Sequence, residues 1–145
     1  MDPVASAKGV SSRMNPEIKA AWVQWLRDNA NKQGTGRLKR EGKFCCLGGL
    51  CELAKAAGVV RAELVLTGEE VFRYVSFEDD EDFSKDVLPR AVAVWAGLPA
   101  SDRNPVVKAR ESNTNLPEEE VTLVTLNDNW RLNFNQIADL IEQQL

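Results

Sequence analysis

A chain of 145 residues, 43% hydrophobic and 28% charged, has the size and composition of one globular domain. No apolar run approaches the roughly 20 residues that cross a bilayer, and histidine is absent, which excludes Ser-His-Asp and Cys-His nucleophilic systems and histidine-ligated zinc. The net charge of −4 is unevenly spread: residues 1–62 carry 11 Lys and Arg against 5 Asp and Glu, whereas residues 63–145 carry 7 against 17. Such a split means a basic surface for an anionic partner or two halves that attract each other.

Residues 1–13 are small and polar without the apolar stretch of a secretory signal. They are expected to be a disordered extension, with a natural start at Met14 and one domain over 14–145. The first helix is predicted from Asn15 as N-cap, Pro16 at the first helical position and Glu17 at the positive helix end. Ile18, Ala21, Trp22, Trp25 and Leu26 then share one face. Lys32 to Lys43, with three glycines and five basic residues, reads as a loop with a short strand around Leu38.

Phe44 to Gly58 reads as a buried helix. Gly48 and Gly49 each weaken it by about 1 kcal/mol relative to alanine, so another backbone or a ligand is expected to approach closely there. Glu63–Thr67 and Val71–Phe77 are strand-like and predict a hairpin across Gly68-Glu69-Glu70, followed by an exposed acidic loop at Glu78–Asp82. A third helix is predicted from Pro89 to Ala96, with Leu88, Val92 and Trp95 facing inward. Asp102 to Asn115 is polar and irregular. A helix from Pro117 to Leu126 is expected with Asn115 as its cap, although Val121 to Thr125 is also good strand material. Phe134, Ile137, Ala138, Ile141 and Leu145 line one face of a final helix. The sum is an α+β fold, with four or five helices on a small antiparallel sheet. Its expected core is Trp22, Trp25, Leu26, Phe44, Leu47, Leu50, Trp95, Ile137 and Ile141.

Several strings stand together: Gln33-Gly34, Phe44-Cys45-Cys46-Leu47-Gly48 with Leu50-Cys51, Leu88-Pro89, and Trp95-Ala96-Gly97-Leu98. Asn104-Pro105, Leu126-Asn127-Asp128 and Phe134 with Ile137-Ala138-Asp139-Leu140-Ile141-Glu142 complete the pattern. Over residues 15–145 it resembles a group of small uncharacterised proteins encoded by bacteriophages and prophages. Similar proteins have a short glycine turn after Leu-Asn-Asp, where this chain has Asn129-Trp130-Arg131-Leu132-Asn133. The resemblance implies a phage accessory origin and the host cytoplasm; it transfers no activity and no functional residues.

Cys45, Cys46 and Cys51 are odd in number, and a bridge between the adjacent pair is strained. Reduced thiols packed as small hydrophobes are expected, with a reactive thiolate at Cys45 or Cys46 as the alternative. Their spacing does not make a four-ligand zinc site, so neither metal nor cofactor is expected. The acidic loop lacks the glycine and distal glutamate of an EF-hand and reads as a solvated charge run, with mimicry of a nucleic-acid backbone as the second reading. Leu126-Asn127-Asp128 with Phe134 echoes half of a helix-turn-helix, but no recognition helix follows in this sequence.

Gly34-Thr35-Gly36 followed by Arg37, Lys39, Arg40 and Lys43 is not a Walker A loop. Approachable backbone N–H groups beside cationic side chains nevertheless suit an anion. The candidate ligand site is Gln33, Arg37, Lys39, Arg40 and Lys43, with Asp128, and with Trp130 as a stacking face if the ligand carries a base. The helix beginning near Cys46 would direct its N-terminal N–H groups at the same anion. A solvated loop, or one docked on the acidic half, is the competing reading. No catalytic residue is assigned. The expected function is a non-enzymatic phage accessory protein binding a host protein or small anionic ligand, in host takeover or counter-defence. The alternatives are a nucleic-acid-associated protein using loop 32–43 and a small carboxylate-dependent hydrolase or transferase.

Overall fold

Asn15 opens the first helix as its chemistry dictates: Oδ1 accepts hydrogen bonds from the N–H groups of Glu17 (2.9 Å) and Ile18 (3.0 Å). In this computed structural model, which describes residues 14–66, 68–111 and 114–145, helix α1 spans Pro16–Asp28. The expected extension at 1–13 lies outside the described residues. A 3-10 turn at Ala30–Lys32 leads to strands β1 (Lys39–Arg40) and β2 (Lys43–Phe44) and helix α2 (Cys46–Ala56). The long hairpin follows as β3 (Val60–Leu66) and β4 (Glu70–Ser76), then β5 (Phe83–Ser84) and helix α3 (Arg90–Trp95). Strands β6 (Val106–Ala109) and β7 (Glu119–Thr122) precede helices α4 (Leu123–Asp128) and α5 (Phe134–Gln144).

The main sheet has the order β2-β1-β4-β3, with β5 also on β4, and its pairings are antiparallel. In the hairpin Ala62 faces Tyr74 and Val65 faces Val71. Strands β6 and β7 make a second, two-stranded sheet. Five helices among the described residues and antiparallel sheets make this an α+β fold, as expected.

The stretch before α4 corrects the sequence reading. The helix expected from Pro117 is strand β7 up to Thr122, and the supposedly irregular 102–115 contains its partner β6. Val121 and Thr122 are β-branched and find partners in Val107 and Val106. Thr122, not Asn115, then caps the helix, its hydroxyl accepting from the Thr125 N–H at 3.3 Å.

Helices α1, α2, α4 and α5 enclose the core with Tyr74 from β4. Trp22, Leu26, Leu47, Leu50, Ile137 and Ile141 are fully buried, and the Trp22 indole donates to the Cys46 carbonyl at 3.0 Å. Trp25 and Trp95 are only half-buried at the margin, a correction to the expected core. The glycine pair in α2 has the reason its cost implied. A Cβ on Gly48 would lie 2.0 Å from the Leu38 carbonyl oxygen, and one on Gly49 would lie 2.5 Å from the Trp25 ring. Both approaches come from the protein itself.

Opposite charges in the two halves also meet. Arg27 reaches Asp139 (2.8 Å), Arg37 reaches Asp86 (3.0 Å) and Arg61 reaches Asp80 (3.2 Å).

Candidate functional site

Loop 33–43 is held at one end by a fully paired polar joint. The Gln33 amide nitrogen donates to Asn127 Oδ1 (2.9 Å) and the Leu132 carbonyl (2.8 Å), while its oxygen accepts the Phe134 N–H (3.0 Å). Asn127, buried at α4, donates through Nδ2 to the Gly34 carbonyl (2.9 Å) and to Asp128 (2.8 Å). Gly34 N–H in turn donates to the Phe44 carbonyl at 2.7 Å. Gln33 and Asn127 thus tie the loop, β2 and the start of α5 together, each amide engaged as donor and acceptor. Buried amides left without such partners cost free energy, so the joint is structural. Gln33 belongs to it through both ends of its amide, and Asp128 through the oxygen that accepts from Asn127.

Beyond the joint the loop opens into a depression of about 330 Å³ lined by Gly34, Thr35, Arg37, Arg40, Glu41 and Lys43. Its geometry follows from the β1–β2 turn, where Glu41 and Gly42 both adopt positive φ and fold Lys43 back beside Arg40. Arg40 donates to the Thr35 carbonyl (3.1 Å) and Lys43 to the Asn31 carbonyl (3.1 Å). These neutral acceptors fix the two side chains side by side. Glu69 lies 4.0 Å from the Arg40 guanidinium, and Arg37 is paired with Asp86. Glu41 accepts from the Glu70 N–H.

Of the residues predicted from sequence, Arg37, Arg40 and Lys43 are therefore brought together. Lys39 is not among the lining: its ammonium lies over the Phe72 ring at 4.5 Å and the Phe44 ring at 5.5 Å. Trp130 is half-buried against the core and does not line the depression. The first turn of α2 is also unable to serve an anion there, because residues 45–49 are buried. Thr35 and Glu41 were missed as lining residues; the Glu-Gly pair after Arg40 was the turn signal that could have found Glu41.

The cysteines carry no accessible chemistry. All three are free and buried. Burial pushes the Cys45 thiol up to about 12 and raises Cys46 and Cys51 well above their ordinary value, with neighbouring Cys45 adding to the effect on both. A thiol held neutral is a poor nucleophile, which removes the basis of the reactive-thiolate alternative. Among the described residues no group of three or more Cys, Asp or Glu side chains could hold a metal ion. No helix there is long and apolar enough to cross a membrane.

The acidic run is less solvated than expected. Both Asp82 oxygens accept N–H groups at the start of α3, from Arg90 (2.7 Å) and Ala91 (2.8 Å), and Asp80 pairs with Arg61.

No curated protein and no solved structure matches this chain. The model of a domain of unknown function, DUF8296, matches residues 14–145, and the chain belongs to that family.

Proposed function

We propose that this member of the DUF8296 family is a non-catalytic binding protein that takes a small anion, of phosphate or phosphomonoester type, in the depression of loop 34–43. One observation carries the reading: Arg40 and Lys43 are held side by side by neutral carbonyls, so a cationic site is set in advance beside the Gly34–Thr35 backbone. Pre-positioned donors lose less freedom on binding, and guanidinium and ammonium groups suit phosphate oxygens. Glu41 is the one carboxylate that lines the depression, and it is bonded to the Glu70 N–H. The resemblance to small phage and prophage proteins supports an accessory role in a bacterial host cytoplasm, in host takeover or counter-defence, with a host protein as a second partner of the same surface.

The nucleic-acid reading is weaker on this geometry. A strand needs a continuous cationic track, whereas Glu41 lines this one and Asp86 and Glu69 lie 3.0 Å from Arg37 and 4.0 Å from Arg40. Calorimetric titration with inorganic phosphate, adenosine monophosphate and a single-stranded oligonucleotide tests both readings. Phosphate and the mononucleotide should bind, and Arg40→Gln with Lys43→Gln should weaken them roughly 10- to 150-fold per charged hydrogen bond lost. Binding of the oligonucleotide alone, falling steeply with salt, would favour the nucleic-acid reading. Absence of all three would end the anion reading. Recovery of a bacterial protein from lysate by the wild-type chain but not the double variant would support the host-protein arm.

A further inference from the structure

A concave space larger than the anion depression lies elsewhere, between the end of β4 and the outer face of α3. It holds about 530 Å³ and is floored by Val59, Ala91 and the half-buried Trp95. At its mouth stand two large apolar side chains in open solvent, Phe77 (56% exposed) and Val94 (58% exposed). Exposed apolar surface collected around a cavity, rather than scattered singly, is the usual mark of a contact site.

The rim supplies the sign of the partner. Glu78, Asp79 and Asp82 line the groove against one cation, Arg90. Asp82 is occupied in capping α3 and Asp80 is paired with Arg61, but Glu78 and Asp79 are exposed, and Glu81 continues the negative edge. The Phe77 ring already accepts a cation on one side, where the Arg61 guanidinium lies 5.6 Å from its centre. Negative rim, apolar floor and an aromatic face at the mouth are complementary to an apolar anchor flanked by Lys or Arg. The same rim repels nucleic-acid phosphates and anionic lipid headgroups.

We infer that this groove docks a short segment of a partner protein, with an apolar side chain seated on Trp95 and Val59 and flanking basic side chains on Glu78, Asp79 and Phe77. It is a surface separate from the anion depression and uses none of that depression's lining residues.

The experiment follows the Trp95 indole N–H signal by NMR in the full chain, with a capped peptide of two leucines flanked by arginines as probe. A peptide of the same length with glutamates in place of the arginines serves as control. The basic peptide should move the Trp95 signal, with affinity that falls as salt rises. Val94→Arg and Glu78→Lys, both at exposed positions, should each weaken it at least about tenfold, while Arg40→Gln with Lys43→Gln leaves it unchanged. Equal binding of both peptides, or binding of neither, overturns the proposal. So do two other outcomes. A concentration-dependent dimer abolished by Val94→Arg assigns the groove to a second copy. A Trp95 shift on deleting residues 1–13, with no peptide present, assigns it to the chain's own N-terminal segment.

Discussion

Gln33 and Arg40 lie in the same loop, and their side chains are used in opposite ways. Gln33 spends both ends of its amide on buried partners, whereas Arg40 and Lys43 are steadied by carbonyls and keep their charge at an open depression. The strings that stand out in the sequence fall on the first kind of residue. Gln33-Gly34, Gly48 and Asn127 meet at the joint or directly behind it. A motif that looks chemical in one dimension can thus be a closure in three, with the chemistry a few residues further on.

The contrast can be broken at four points. The largest effect is expected from Gly48→Ala, whose methyl group meets the Leu38 backbone oxygen at a distance no rotamer relieves. It should cost on the order of 3 kcal/mol or more in urea unfolding, while Lys43→Ala in the open part stays within about 0.5 kcal/mol. A Gly48→Ala chain as stable as wild type would show that β1 and α2 are not rigidly apposed.

Next comes Gln33→Ala, which leaves Asn127 Oδ1, the Leu132 carbonyl and the Phe134 N–H without their partner. At about 1–3 kcal/mol for each polar group left unsatisfied, a total loss near 3 kcal/mol is expected. Hydrogen exchange at the Phe134 amide should accelerate with it.

A third effect, absent at neutral pH, concerns the thiols behind the joint. Cys45 holds its proton to about pH 12 in the fold against 9.0 ordinarily, because burial disfavours the thiolate. The folded state binds that proton more tightly, so this stability is complete below pH 9 and is lost as pH rises toward 12, by roughly 1.4 kcal/mol per unit. Urea midpoints measured from neutral to alkaline pH should decline accordingly, and Cys45→Ala should flatten the curve. A thiol reagent that modified the native chain as fast as the unfolded one would contradict this.

The smallest effect belongs to the exposed hairpin. Hydrogen bonds from Arg61 and then Arg73 lower the Glu63 carboxyl below its ordinary 4.5. The stabilisation is present above that value and is lost as pH falls through the lowered one. Glu63→Gln should slightly shallow the acid limb of a thermal melt at low salt and change nothing at high salt.

Helices with a cap and a single apolar stripe were legible from sequence, as α1 and α5 show: their signals are local and nothing in the tertiary structure opposes them. The 117–126 segment was not, because a glutamate-rich helix start and a β-branched run compete there, and the decision falls to β6, a partner with no strong pattern of its own. At the site, Arg37, Arg40 and Lys43 could be picked out as a basic run. That Lys39 would turn onto Phe72 depends on the pairing of β1 with β4, which no window of the loop contains. Trp95 looked like core because its helix is amphipathic, yet α3 buries Val92 and Ala93 and leaves Trp95 half-buried at the groove.

Packing of α1 on α5 has a consequence for biosynthesis. The first helix finds its mate only after more than a hundred further residues have been made, and the Gln33 joint waits for Leu132 and Phe134. At about 5–20 residues per second, the Trp25 side of α1, which meets Phe134, is uncovered for roughly 6–20 s on the ribosome. The nascent chain should therefore depend on holding chaperones during that interval, and ribosome-bound chains arrested before α5 should stay sensitive to protease along their whole emerged length.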